Sequence, residues 1–272
     1  MPRIRLVALD IDGTILDSAK RLSPRTLEAI RGLRGLGLEV TLISGRTHPA
    51  TADVALALSL DGPLVSLNGS LIRPREGPVL YAHPIPAERV RRALDAAREL
   101  PLDPFLFLDE EILVPEDRMA KSSILDAWTC GKGYRPVPRL EPDGEPVYQV
   151  HFGAPPEEGD RLKAAIERAL GEIFDVFGYV AFSSRSYHIE LRMPGDDKGT
   201  GLAELRRRLG LQKDEVLAVG DWLNDVPLLR EAGVAVAMKG SPGAVIEAAD
   251  HLTPGTSDEE GLAAFLEDYF CL

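Results

Sequence analysis

Cysteine, asparagine and glutamine each occur only twice in this chain of 272 residues. The two cysteines, Cys130 and Cys271, are too few for a disulfide framework and are not spaced as a metal site. No apolar run approaches the length of a membrane-spanning segment, and the first residues show no signal-peptide pattern. We therefore expect a cytoplasmic protein that does not bind membranes.

Positive charge is also in short supply. Lys+Arg 31 against Asp+Glu 43 gives a net charge of −12, so the surface should repel nucleic acid and anionic membranes. We expect no nucleic-acid partner, and an anionic small substrate would need a cationic pocket or a metal. The composition is otherwise that of a globular protein with one large domain or two moderate ones. The oligomeric state is left open.

What the chain does contain is a pair of carboxylates directly after a short apolar run. Residues 4–9 predict a strand that is buried on both faces of a parallel sheet. Asp10 and Asp12 would leave this strand on the same side, and Gly13 lets the chain turn away. Two carboxylates this close need a cation, a shared proton or a reaction. The alternative is an ordinary turn, because Asp and Gly are common turn residues.

Strand and helix signals alternate at both ends of the chain and change in between. Residues 1–81 read as a βαβαβ unit, and residues 193–272 resume the same pattern. Together they predict one α/β domain with a doubly wound parallel sheet and right-handed crossovers. Residues 82–192 are rich in proline and short strands, and we predict that they form a separate, inserted α+β domain.

Within the predicted insertion, two histidines and three other side chains are candidates for specific roles. His151 and His188 lie inside apolar strand patterns, which favours packing histidines over ligands. Trp128, Cys130 and Tyr134 are candidates for the edge of a substrate pocket. Nothing in the sequence fixes that placement.

Polar residues follow four of the predicted strands. If the sheet is parallel, all four strand ends open on one edge, where such sheets bind ligands. Any one of these loops alone also reads as a turn or a helix cap. The carboxylates among them offer hard oxygen ligands that suit Mg²⁺. The four strand ends carry Asp10 and Asp12, Ser44-Gly45-Arg46, Asn68-Gly69, and Asp221 to Asp225.

The order of these motifs resembles that of the haloacid-dehalogenase-like (HAD) phosphatases. The matching segments are Asp10-Ile-Asp12-Gly13-Thr14, Ser44 in Ser-Gly-Arg, Lys198 in Asp-Lys-Gly, and Gly220-Asp221-Trp-Leu-Asn224-Asp225. The insertion is similar to the large α/β cap of the Cof-type branch, which Asn68-Gly69 also fits. The resemblance covers nearly the whole chain. It implies a HAD core of residues 1–81 and 193–272, with residues 82–192 as a cap that selects the substrate.

The resemblance implies a Mg²⁺-dependent phosphomonoester hydrolase that acts on small phosphorylated metabolites, with sugar phosphates as the expected class. Asp10 would attack phosphorus and form an aspartyl-phosphate, and Asp12 would protonate the leaving oxygen and later activate water. The Asp10 carboxylate, the Asp12 backbone carbonyl and Asp221 would hold Mg²⁺. Asp225 would be either a minor ligand or an anchor for coordinated water.

The remaining site residues are expected to bind phosphate or substrate. Ser44, the Gly45 amide and Lys198 would bind phosphoryl oxygens, and a lysine at a helix N-terminus needs such a local reason. Asn68 and Asn224 would position the substrate, although Asn68 also reads as a turn residue.

Two further candidates complete the predicted site. Thr14 belongs to the first motif and is assigned to the phosphate group with it. Arg46 would pair with a substrate anion or a cap carboxylate, or else form a surface salt bridge.

Two alternatives to a general sugar-phosphate phosphatase stay open. One is a phosphatase of the mannosyl-3-phosphoglycerate type, which has a related core and cap. The other is a non-catalytic protein that binds a small ligand on the same fold. The presence of both Asp10 and Asp12 disfavours the second alternative.

Overall fold

The computed structural model describes residues 4–117, 133–142, 144–180 and 186–272. The chain divides into two units. The first unit consists of Met1–Gly45, Thr51–Tyr81 and Asp197–Leu272, and the second consists of Arg46–Ala50 and Ala82–Asp196. The chain changes unit after residues 45, 50, 81 and 196. The domain boundaries that we predicted, after residues 81 and 192, stay a prediction. That the second unit is a cap that selects the substrate stays a prediction.

The elements alternate along the chain much as the hydrophobic pattern predicts. The helices of the described residues are α1 (Pro24–Gly35), α2 (His48–Ala57), α3 (Ala87–Ala97), α4 (Gly159–Leu170), α5 (Lys198–Leu209), α6 (Val226–Glu231), α7 (Gly243–Glu247) and α8 (Gly261–Phe270). The strands are β1 (Leu6–Leu9), β2 (Glu39–Leu42), β3 (Pro63–Ser66), β4 (Leu71–Pro74), β5 (Tyr81–Ala82), β6 (Asp103–Phe107), β7 (Ile112–Pro115), β8 (Tyr134–Val137), β9 (Gln149–Ala154), β10 (Asp175–Val180), β11 (Tyr187–Arg192), β12 (Val216–Gly220), β13 (Val234–Ala237) and β14 (His251–Leu252). None of the helices in these ranges is long and apolar enough to cross a membrane.

The first unit is built on a parallel sheet with the strand order β14-β13-β12-β1-β2. Strand β1 is buried on both faces, because its side chains alternate between two apolar clusters. Val7 and Leu9 pack with residues of α1 and α8, whereas Leu6 and Ala8 pack with residues of α5 and α6. Helices therefore cover both faces of the sheet, and the predicted doubly wound α/β fold is confirmed.

Strand β3 departs from the simple βαβαβ pattern. It meets the end of β2 through one parallel bridge, Ile43 to Val65, and pairs antiparallel with β4 in the sheet β3-β4-β5. We did not predict β4, because prolines at its end and beyond it resemble a linker. Pro74 is tolerated because it is the last residue of the strand.

The second unit contains a six-stranded sheet with the order β10-β11-β9-β6-β7-β8. All its pairings are antiparallel except that of β7 with β8. Val150, Phe152 and Ile189 point to one face and pack with residues of α3 and α4. Alternate residues, such as His151 and Glu190, point to the opposite face, so two charged or polar groups face each other across β9 and β11.

Candidate active site

Two neighbouring strands bring the first carboxylates together. Strand β1 pairs with β12 in parallel register, so Asp10 and Asp221 follow the ends of adjacent strands. The Asp10 amide donates a hydrogen bond of 3.0 Å to the carbonyl of Val219, which continues the ladder to the last residue before the turn. The sheet therefore fixes the backbone from which both carboxylates project.

Helix α5 carries the positively charged residue of the site, Lys198, at its first position. Its N-cap, Asp197, accepts a hydrogen bond of 2.8 Å from the Thr200 amide, so the helix begins at Lys198 as the sequence predicts. A Cβ at Gly201 would lie 2.6 Å from the Cα of Gly69, which shows how closely the first turn of α5 approaches the loop after β3. Glycine at both positions permits this approach. Lys198 is thereby held beside the strand ends.

Lys198 lies between two carboxylates and is almost fully buried. Its Nζ atom is 2.6 Å from Oδ1 of Asp10 and 2.6 Å from Oδ1 of Asp225. Burial opposes the charge of the ammonium group, but the two carboxylates outweigh this effect and hold the pKa of Lys198 above its ordinary value. The lysine is therefore permanently charged, and it compensates part of the negative charge at this site.

Negative charge is still in excess around this lysine. Carboxylate oxygens of Asp10, Asp221 and Asp225 lie within 4.8 Å of one another. Burial raises the pKa of Asp10 to about 6, against the opposing effect of Lys198. Burial, followed by the charges of Asp10 and Asp225, raises the pKa of Asp221 to about 8. Three carboxylates with one lysine have the hard oxygen donors and the unbalanced charge that suit a divalent cation.

Asp225 stabilises the loop that follows β12 through hydrogen bonds to its side chain. Its Oδ1 atom accepts the Lys198 bond, and its Oδ2 atom accepts hydrogen bonds from the amides of Asp221 at 3.0 Å and Trp222 at 3.1 Å. A Cβ at Gly220 would lie 2.5 Å from the Cβ of Asp225, so this packing needs a glycine. Both oxygens of Asp225 thus orient the backbone and the lysine.

The turn after β1 closes against Asp221. Gly13 has a φ of +84°, and a Cβ there would lie 2.3 Å from Oδ2 of Asp221. The Thr14 hydroxyl donates to Oδ1 of the same carboxylate at 3.5 Å. The Thr14 hydroxyl is therefore hydrogen-bonded to a carboxylate. Its predicted contact with phosphate stays a prediction.

The Asp12 side chain lies outside the cluster formed by Asp10, Asp221 and Asp225. Its Oδ1 atom accepts a hydrogen bond of 2.6 Å from Nζ of Lys20. Sequence reasoning missed Lys20, because a lysine in a polar turn carries no signal of its own. A charged residue eight positions after a candidate acid becomes meaningful only when the turn geometry is known.

A second group of candidates converges from three loops. The backbone amide of Asn68 donates a hydrogen bond to the backbone carbonyl of Ser44 at 3.0 Å. The side-chain Nδ2 of Asn224 donates to Oδ1 of Asn68 at 3.2 Å. A Cβ at Gly45 would lie 3.0 Å from Nδ2 of Asn68, so the two loops are in close contact. The predicted polar residues after β2, β3 and β12 are therefore neighbours in the first unit.

Four further predicted candidates lie in the second unit or outside the described residues. Arg46 is buried and belongs to the second unit, so its expected contact with substrate stays a prediction. Trp128 and Cys130 lie outside the described residues. Tyr134 is the first residue of β8 and is half-buried.

The chain is similar to known proteins over nearly its full length. Residues 7–266 match the model of the family described as haloacid dehalogenase-like hydrolase. The chain is 27% identical over 272 residues to the 5-amino-6-(5-phospho-D-ribitylamino)uracil phosphatase YitU of Bacillus subtilis, with 98% of each chain covered. It is 30% identical over 240 residues to the HMP-PP phosphatase of Serratia proteamaculans, covering 86% of this chain and 83% of that protein.

A solved structure shows the same architecture. The crystal structure of a haloacid dehalogenase-like hydrolase from Bacteroides thetaiotaomicron superposes with a TM-score of 0.85 at 27% identity. The superposition covers 98% of this chain and 100% of the other. The fold is therefore shared over nearly the whole length of both chains.

Proposed function

This chain belongs to the haloacid dehalogenase-like hydrolases, and from that premise we propose that it is a Mg²⁺-dependent phosphatase for monoesters of small phosphorylated metabolites. The group formed by Asp10, Asp221, Asp225 and Lys198 carries this proposal. Its excess of carboxylates over cations suits a divalent metal ion, which would supply the missing positive charge and offset the charge of a bound phosphoryl group.

Asp10 is the proposed nucleophile. Its carboxylate attacks phosphorus and displaces the leaving oxygen, which forms an aspartyl-phosphate and splits the hydrolysis into two displacements. Asp12 gives its proton to the leaving oxygen in the first step. It then takes a proton from the water that attacks the aspartyl-phosphate, so that phosphate is released and Asp10 is regenerated.

The proposed metal ligands are the carboxylates of Asp10 and Asp221 and the backbone carbonyl of Asp12. Magnesium at these oxygens would neutralise charge on the transferring phosphoryl group. Asp225 acts as an anchor, because both of its oxygens already engage Lys198 and the loop amides. Thr14 orients Asp221 through its hydroxyl group.

Phosphate is bound by the Lys198 ammonium group and by the neutral hydrogen-bond donors of the neighbouring loops. The ammonium of Lys198 holds a phosphoryl oxygen, together with the Ser44 hydroxyl and the Gly45 amide. Asn68 and Asn224 position the ester, and their mutual hydrogen bond orients the two amide groups. These groups provide the cationic pocket that a chain with a net charge of −12 otherwise lacks.

The substrate class follows from the relatives and from the site together. Their names describe phosphatases of small phosphorylated molecules, one a ribitylaminouracil phosphate and one HMP-PP. We propose a small phosphorylated metabolite of this kind, with sugar phosphates included, and the second unit as the part of the chain that selects it.

The test is hydrolysis of p-nitrophenyl phosphate with and without Mg²⁺, in the parent and in Asp10→Asn. The amide cannot act as the nucleophile, so the variant should lose activity by a factor of roughly 10⁴ or more, within the range of known enzymatic accelerations. Asp61→Asn is the matched control, because Asp61 is an exposed aspartate that is paired with Arg75. Parent-like turnover in a folded Asp10→Asn variant would contradict the covalent mechanism.

A further inference from the structure

Hydrogen bonds to one residue, Asp17, stabilise the turn that follows the first motif. Oδ1 of Asp17 accepts hydrogen bonds from the amides of Ala19 at 2.9 Å and Arg21 at 2.8 Å, and Oδ2 accepts one from Nε of Arg21 at 2.9 Å. The Asp17 carbonyl accepts the Lys20 amide at 2.9 Å. Four hydrogen bonds to one residue therefore define the path of the chain through Lys20.

Lys20 itself has an unfavourable backbone conformation. Its φ of 60° lies in the left-handed region, which residues other than glycine avoid. Such strain persists only where the surrounding structure enforces it, and it is frequent at functional sites. The hydrogen bonds of Asp17 enforce it here, which gives a reason to ask what the Lys20 side chain does.

The side chain of Lys20 reaches Asp12. Nζ of Lys20 is 2.6 Å from Oδ1 of Asp12, with 54% of the lysine side chain and 36% of the aspartate side chain exposed. An ion pair this exposed contributes at most about 1 kcal/mol to stability. A strained residue is therefore poorly explained by stability alone, and the orientation of the Asp12 carboxylate is the remaining consequence of the contact.

Orientation is the property that a general acid needs. Asp12 must come within hydrogen-bond reach of the leaving oxygen with a proton on one of its carboxyl oxygens. The hydrogen bond from Nζ of Lys20 to Oδ1 limits the side-chain rotamers of Asp12 and leaves Oδ2 as the oxygen that carries this proton. We propose that Lys20 is a positioning residue that fixes the Asp12 carboxylate for proton transfer. This inference rests on the proposed function, because it assigns Asp12 the role of acid and base.

The experiment compares Lys20→Met with the parent in single-turnover phosphorylation by substituted phenyl phosphates. These esters differ in the acidity of the leaving phenol but little in shape. We expect roughly a tenfold loss with phenyl phosphate and about a twofold loss with p-nitrophenyl phosphate, because general acid catalysis matters most for poor leaving groups. Lys20→Arg should keep most of the parent rate, since it restores a cation.

Two further variants separate orientation from folding. Lys239→Met is the matched control, because Lys239 also pairs with one carboxylate and is 50% exposed; its rates should equal those of the parent. Lys20→Gly accepts the left-handed backbone without strain but lacks the cation. We expect it to melt no lower than the parent and still to show the kinetic loss of Lys20→Met.

Equal losses with all phenyl phosphates, or parent rates in Lys20→Gly, would overturn the positioning role. Asp12→Asn distinguishes this outcome from failure of the proposed function. If Asp12→Asn leaves the dependence on the leaving phenol unchanged, the acid role of Asp12 itself is wrong. If Asp12→Asn steepens that dependence while Lys20→Met matches the parent, only the role of Lys20 is wrong.

Discussion

Each unit of this protein buries a cluster of charged side chains, and the two clusters differ in their charge balance. In the first unit, three carboxylates lie close together and one lysine pairs with two of them, Asp10 and Asp225. In the second unit, Glu190 and Arg192 lie next but one to each other on β11, with Oε1 of Glu190 2.9 Å from Nε of Arg192. Among the described residues, one cluster has excess negative charge and the other pairs one anion with one cation.

The cluster of the second unit is also packed by aromatic rings. The guanidinium of Arg192 lies 3.8 Å from the ring centre of Phe177, and the His151 ring stacks on Phe107 at 4.1 Å. Burial, with a smaller effect of Arg192, lowers the pKa of His151 to about 3, so the imidazole adds no charge at neutral pH. Balanced charges packed on rings are what a structural cluster requires.

Burial of charge alone does not distinguish the two clusters. The side chains of both clusters are buried, apart from the half-buried Asp221, and both clusters contain a salt bridge shorter than 3 Å. The difference lies in the charge that the protein leaves uncompensated. A cluster with more carboxylates than cations is suited to binding a further cation, whereas a balanced cluster has no net charge for an ion to offset.

Replacement of Lys198 tests the first cluster, and among the changes that compare the two clusters it has the largest expected effect on hydrolysis. Lys198→Met removes the cation between Asp10 and Asp225, and we expect kcat/KM for p-nitrophenyl phosphate to fall by roughly 10²–10³, as for loss of one transition-state donor. The measurement is steady-state kinetics on folded protein, with Lys213→Met, a change in a short surface turn, as the control. Parent-like kcat/KM would remove Lys198 from the phosphate site.

Replacement of Asp221 tests whether the excess charge binds a metal. Saturating Mg²⁺ should raise the melting temperature of the parent, because an ion that binds the folded state at 100 Kd stabilises it by about 2.7 kcal/mol. Asp221→Ala should lose most of this shift, and Asp61→Ala should keep it. Calorimetry with and without Mg²⁺ measures both, and an unchanged response in Asp221→Ala would exclude this residue as a ligand.

Replacement of Arg192 tests the second cluster. Arg192→Met leaves the buried Glu190 without this cation, and we expect a loss of about 3 kcal/mol in the free energy of unfolding. The double variant with Glu190→Gln should recover part of that loss, which a double-mutant cycle measures. Hydrolysis of p-nitrophenyl phosphate by the folded variants should stay within about twofold of the parent. A large kinetic defect at parent stability would make the second cluster functional as well.

Acidification tests the neutral state of two buried histidines of the second unit. Burial lowers the pKa of His151 and of His188 to about 3, whereas an unfolded histidine titrates near 6.5. The unfolded chain therefore binds more protons between pH 6.5 and pH 3, so both histidines favour the folded state above this window and lose that contribution as the pH falls. The unfolding free energy of a His151→Gln, His188→Gln double variant should fall less steeply from pH 7 to pH 4. A slope equal to that of the parent would contradict the buried neutral state.

Local patterns in the sequence were sufficient for most of the elements. Ser23 before Pro24 predicted the start of α1, and Ser23 does accept the hydrogen bond of the N-cap. The spacing of apolar residues predicted α5 with both of its observed ends. The order of the polar motifs predicted the family through its resemblance to known phosphatases, because four motifs in sequence are far more specific than any one of them alone.

Contacts between distant residues were decided by the tertiary structure. Lys198 and Asp10 are 188 residues apart, and only the packing of α5 against the loop after β3 places them 2.6 Å from each other. The pairing of Lys20 with Asp12 depends on a left-handed turn that hydrophobic periodicity does not report. Periodicity records which side of an element is buried, whereas the partner of a charged side chain depends on where the rest of the chain folds.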